Sequence, residues 1–159
     1  MPIPLRLEIS RNATGWPEAL DARAEQAVLE ALKQSKATVA GASELSVVLT
    51  DDAEQQALNR DWRGIDKPTN VLSFPQIEPF GAVSGILGDI ILARETLERE
   101  AVEQGVSFED HFTHLMVHGF LHILGYDHMD DDEALVMEGL ETQILASLGV
   151  ADPYAEESR

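Results

Sequence analysis

The histidines of this chain fall at positions 111, 114, 118, 122 and 128, all within one short stretch, where random placement would scatter them along the sequence. Residues four apart lie about 40° apart around a helix and roughly 6 Å along it, so His118 and His122 can aim their imidazoles at one ion. His114 stands roughly 12 Å from His122 on a straight helix, too far to share a metal with bonds near 2 Å. Cysteine is absent, which removes thiolate zinc sites, disulfides and cysteine nucleophiles and leaves histidine and carboxylate as the available metal ligands.

Gly125 offers a route to a third ligand. A glycine there can take the left-handed conformation that ends a helix, turning Tyr126, Asp127 and His128 back toward the His118/His122 face. The run from His118 to His128 has the H-x-x-x-H-x-x-G-x-x-H spacing of the metzincin zinc site. Three neutral imidazoles leave one coordination position for water or substrate, as in catalytic rather than closed structural zinc sites. The competing reading is a set of hydrogen-bonded core histidines on a helix already apolar through Leu115, Met116, Val117, Leu121 and Leu124. By position, His111 reads as a surface residue and His114 as a core residue or a support for the ligands. The expected ion is zinc or another divalent transition metal, one per chain.

The elements that must hold these residues follow from pattern. Residues 4–10 alternate Leu5, Leu7 and Ile9 with Arg6, Glu8 and Ser10, the period of a half-buried strand. Leu20, Ala24, Ala27, Val28, Ala31 and Leu32 recur at helical spacing over residues 17–36. Residues 44–50 read as a second strand, and Asp51 or Asp52 can cap a helix running through Asn59. Gly64, Asp66 and Pro68 make residues 62–70 an exposed loop leading into a strand over 71–74, and a long connection over 75–85 precedes a strand over 86–92. A helix over 93–104 ends at Gly105. Ser107 with Asp110 can open the histidine helix, and Asp130 to Asp132 can cap a last helix reaching about Leu148, with a polar tail over 151–159. The sum is an α+β fold, about four strands in a mixed sheet packed with about five helices, in one domain over 1–159. The metal site is placed on a long central helix and the turn after it.

In H-E-x-x-H metalloproteases the Glu beside the first ligand is the general base, and that position here is Gly119, so hydrolysis of something other than peptide is favoured. The run His118-Gly-Phe-Leu-His122-Ile-Leu-Gly-Tyr-Asp-His128 resembles the H-G-x-L-H-L-x-G-Y-D-H signature of the YbeY family, bacterial single-strand-specific endoribonucleases of ribosomal RNA maturation. Residues 59–75, with Arg63, Lys67, Thr69 and Asn70, resemble the family's arginine-containing loop and following strand, and Leu87-Gly88-Asp89-Ile90 its next strand. Asn70 stands where many members have Asp. The resemblance implies a metal-dependent endoribonuclease acting in 16S rRNA 3′-end processing, ribosome maturation and 70S ribosome quality control. Its implied partners are single-stranded RNA and the ribosomal small subunit, with a ribosomal protein or an assembly GTPase. A metal suits that reaction because it can polarise a phosphoryl oxygen or activate its bound water.

Arg63 is the residue assigned to phosphate, since its planar fork donates bidentately to phosphate oxygens and it lies in the chain's most basic stretch with Arg60 and Lys67. The catalytic set is thus Arg63, His118, His122 and His128, the last three as metal ligands. Asp89, an acid inside a strand, could orient a histidine or hold structure. The net charge of −18, from 29 acids against 11 bases, argues against a nucleic-acid coat protein but leaves room for a local basic patch. No apolar run reaches the roughly 20 residues of a membrane span, so a cytoplasmic protein with no membrane or DNA partner is expected. Two other classes remain: a zinc metalloprotease-like hydrolase with a different base, and a non-enzymatic ribosome-assembly factor with a structural metal.

Overall fold

The alternation at the start of the chain forms strand β1 (Leu5–Arg11) in the computed structural model, which describes residues 5–35, 37–127 and 129–154. After it come α1 (Leu20–Gln34), β2 (Val39–Thr50), α2 (Asp52–Arg63), β3 (Val71–Pro75), β4 (Val83–Ala93), α3 (Arg94–Gln104), α4 (Phe108–Leu124) and α5 (Asp131–Ser147). The strands form one mixed sheet in the order β1-β2-β4-β3, with β1, β2 and β4 parallel and β3 antiparallel to β4. The α+β architecture read from the sequence, four strands and five helices among the described residues, is the observed one. None of these helices is long and apolar enough to cross a membrane.

Helix α4 is apolar on nearly every side, and such a helix is stable only when surrounded. It packs on β3 and β4 and is flanked by α1, α3 and α5. Phe112, Met116, Phe120 and Leu121 from α4 share one core with Leu20 and Val28 of α1, Leu45 and Val47 of β2 and Ile90 of β4. Fully burying each such side chain contributes roughly 1.5–3 kcal/mol, so the histidine-bearing helix is fixed from several directions.

Element boundaries differ from the sequence reading where backbone pairing, which hydropathy does not report, takes over. β2 begins at Val39 rather than 44 because Val39 pairs with Val83 and Ser43 with Gly85, which also moves the start of β4 upstream. α1 begins at Leu20 because residues 17–19 form a turn, in which the Leu20 amide donates to the Pro17 carbonyl. α2 continues past Asn59 to Arg63 and stops at Gly64 in a left-handed conformation. Arg63 therefore stands on the last turn of a helix, not in a loop.

Candidate functional site

Helix α4 is phased by its start. The Ser107 hydroxyl oxygen accepts from the Asp110 amide at 3.1 Å, capping one of the orphan N–H groups of the first turn. From there the helical repeat puts His118 and His122 one turn apart on one side, with ring centroids 4.7 Å apart. Both line a groove of about 680 Å³ whose walls include Leu72, Ser73 and Phe74 of β3. Arg63 and Asn70 line the same groove, whereas His114 does not.

Gly125 ends α4 at φ +118, and its amide donates to the carbonyls of Leu121 and His122. Tyr126 and Asp127 then turn back to line the groove, as the sequence reading requires. The turn is tight for a second reason: a Cβ on Gly125 would stand 2.7 Å from the Phe80 amide nitrogen and 2.8 Å from Pro79 Cα. The Phe80 amide donates to the Leu124 carbonyl at 2.8 Å, so the β3–β4 connection clasps the end of the histidine helix. Asp127 Oδ1 lies 3.9 Å from His122 Nδ1. His128 lies outside the described residues.

The carboxylate that orients a histidine is Glu141 of α5, which the sequence reading did not single out. It is fully buried and accepts from His118 Nδ1 at 2.5 Å and from the Tyr154 hydroxyl at 2.5 Å. His114 Nε2 approaches its other side at 3.4 Å, within ion-pair range but without hydrogen-bond alignment. Burial alone pushes the Glu141 carboxyl up, but the interactions with His114, His118 and Tyr154 outweigh it and hold the group down at about 2. An ionised Glu141 has no proton to give, so the hydrogen on that short contact belongs to His118 Nδ1, which leaves Nε2 as the ring nitrogen a neutral His118 can offer to a metal. That is the tautomer a metal-ligating histidine needs, fixed by a carboxylate as in many metal sites. The signal in the sequence was an acid on the apolar stripe Met137, Glu141, Ile144 and Leu145, all buried.

Two sequence expectations change here, and one reading left open is narrowed. His111 is buried, 2% exposed, rather than a surface residue, and its Nε2 lies 2.8 Å from Glu100. Asp89 meets Gln76 at 3.4 Å and no histidine among the described residues. The tail is not uniformly frayed, since Tyr154 reaches Glu141 and sets its ring 5.9 Å from that of His114.

Gly119, the position a metalloprotease would give to its base, faces the sheet. A Cβ there would come within 3.1 Å of Ile90 and Ser73, and its carbonyl accepts from the Ser73 hydroxyl. A side chain at 119 would be tighter than ordinary contact, so its neighbours on the sheet would have to give way to admit one.

Arg63 is distinguished by what it lacks. Arg6, Arg11, Arg23, Arg60, Arg94 and Arg99 each pair with a carboxylate. Among the described residues Arg63 has none, although the chain carries 29 acids. An unpaired guanidinium on the wall of a groove that also holds two histidines is placed to meet an anion from outside.

Residues 9–149 match the family described as endoribonuclease YbeY. The chain belongs to the YbeY family. Endoribonuclease YbeY of Allorhizobium ampelinum is 52% identical to it over 159 residues, covering 95% of each chain. The protein of the same name from Paramagnetospirillum magneticum is 50% identical over 164 residues, 99% of this chain and 100% of its own. A solved solution structure from Thermotoga maritima, 24% identical, covers 96% of this chain and 91% of its own with a TM-score of 0.60, so the fold is shared. In this YbeY-family chain Arg63, Thr69, Asn70, His118 and His122, among the residues that carry the resemblance, line one groove, whereas Lys67 and Asp89 do not.

Proposed function

We propose that this chain is a metal-dependent, single-strand-specific endoribonuclease of the cytoplasm. Its proposed work is 16S rRNA 3′-end processing, ribosome maturation and 70S ribosome quality control, alongside the small subunit and a ribosomal protein or assembly GTPase. The observation that carries the reading is the groove that joins an unpaired Arg63 to His118 and His122. Family membership supports it, because the relatives named above are called endoribonucleases.

Among the described residues no three histidine or acidic side chains group as a complete metal site, but two imidazoles at a one-turn spacing, one of them held by a buried carboxylate in a chain without thiols, are a partial donor set that a third ligand would complete. His118 and His122, with His128 as the third ligand, would hold zinc or another divalent transition metal. Bound there, the ion would supply Lewis acidity toward a phosphoryl oxygen. Arg63 holds a neighbouring phosphate by two parallel N–H donations and so fixes the RNA strand relative to the histidines. Glu141 keeps the His118 proton on Nδ1 throughout, and the wall of β3 limits how much water surrounds the phosphate.

The test is cleavage of one RNA sequence offered as a single strand and as a duplex, by protein as purified, after chelation, and after zinc is restored. Cutting of the single strand alone, lost on chelation and recovered with zinc, is expected. Cleavage indifferent to chelation would overturn the metal role, and equal cutting of the duplex would overturn the strand preference.

A further inference from the structure

Trp62, immediately before Arg63 on α2, is 71% exposed. The chain's other tryptophan, Trp16, shows the ordinary fate of an indole: it is 5% exposed and its Nε1 donates to the Thr50 carbonyl. Among the described residues Trp62 has one aromatic neighbour, Phe74 of β3, with ring centroids 6.1 Å apart and planes inclined at 60°. Phe74 lines the groove. The indole is thus braced by a groove residue while most of its surface stays in water, a costly arrangement for a side chain of this size.

Around it positive charge is in slight local excess, three bases facing Asp61 and Asp66, with Arg60 paired to Asp61. Arg60, Arg63 and Lys67 lie within one turn of helix and the loop that follows, in a chain of net charge −18. A flat π-surface beside a cation that can take a phosphate is the combination by which proteins hold single strands, since every base has a π-face to stack and a duplex keeps its bases stacked on one another.

We infer that Trp62 is a base-stacking platform, holding one unpaired RNA base next to the phosphate bound by Arg63. The inference rests on the ribonuclease reading for its substrate class and adds to it a source of single-strand preference. The site acts on substrate binding. Base–aromatic stacking contributes enough that Trp62→Ala should raise KM for a single-stranded oligoribonucleotide at least about fivefold, with kcat within about twofold. Trp62→Tyr should recover most of the loss.

The experiment combines those kinetics with rapid-mixing tryptophan fluorescence and an abasic scan. Because Trp16 is buried, the solvent-exposed emission belongs to Trp62, and mixing with the single-stranded oligoribonucleotide should quench it before any cleavage. One abasic position, moved stepwise along the RNA, should cost the native protein the same factor as Trp62→Ala, and cost the Trp62→Ala protein nothing further. Quenching without cleavage would support the platform and overturn the endonuclease reading. Cleavage with no quenching and an unchanged KM in Trp62→Ala would overturn the platform and assign the exposed indole to a protein partner instead. Abasic and Trp62→Ala losses that simply add would overturn it too.

Discussion

In the proposed reaction the guanidinium of Arg63 and the carboxylate of Glu141 serve different parts, and single substitutions separate them. If Arg63 holds a phosphate, Arg63→Ala should leave metal content and melting temperature nearly unchanged while lowering RNA cleavage at least about tenfold, which is about 1.4 kcal/mol of transition-state stabilisation. Arg63→Lys should restore part of that, because an ammonium keeps the charge and loses the two-point contact. The control is Arg99→Ala, whose side chain pairs with Asp52 on α2 away from the groove and should cleave normally. Native-level cleavage by Arg63→Ala would remove the phosphate role. Glu141→Gln tests the other part. It retains volume but no longer fixes the His118 tautomer, so metal affinity measured by chelator competition should weaken by about 10- to 100-fold. Unchanged affinity would mean that His118 is oriented by something else.

At the scale of elements, the site depends on how α4 starts, what it lies on and how it stops. Gly125→Val should strip metal without touching a ligand, for two independent reasons: a β-branched residue is strained at φ +118, and its Cβ would strike the backbone of Pro79 and Phe80. Metal analysis of the variant checks this, and full occupancy would show that the turn tolerates a side chain. Much of this was legible beforehand. The Ser107 cap, the histidine helix, the stop at Gly125 and the Asp130 cap are local signals, in which a residue type satisfies backbone groups a few positions away. The strand order was not legible, because nothing in β1, β2 or β4 alone states which neighbour it pairs with. Glu141 was missed because its partner lies on another helix, 23 positions back along the chain. Trp62 and Arg63 were assigned to a loop because turn-forming residues follow them closely, while the helix actually persists until Gly64.

For the whole molecule, acidity sets the response to pH. Glu100 is half-buried. Burial pushes its carboxyl up, but hydrogen bonds with His111 and Asn70 outweigh that and hold it below its ordinary value. A carboxyl whose folded pKa is lowered stabilises the fold above its unfolded pKa, and the contribution is lost as pH falls from that value through the lower folded one. Glu100→Gln should therefore flatten the fall of melting temperature below about pH 4.5, the ordinary carboxyl value, while costing stability at neutral pH. Parallel acid limbs in the two proteins would contradict this. Asn70 belongs to the same arrangement: its Nδ2 donates to Glu100 at 3.0 Å, so an Asp at this position would set two carboxylates together. The histidine helix is thus tied on one side by Glu100 to His111 and on the other by Glu141 to His118, two part-buried attachments in a strongly acidic chain.

The central claim is that His118 and His122, with His128, bind the metal on which RNA cleavage depends. The most direct measurement is metal content and single-strand RNA cleavage, in parallel, on the native protein, His122→Ala and His114→Ala. The account predicts about one transition metal per chain and cleavage in the native protein, neither in His122→Ala, and retained metal in His114→Ala, whose ring does not line the groove. A His122→Ala protein that keeps its full metal content, or that cleaves RNA at the native rate, would contradict it.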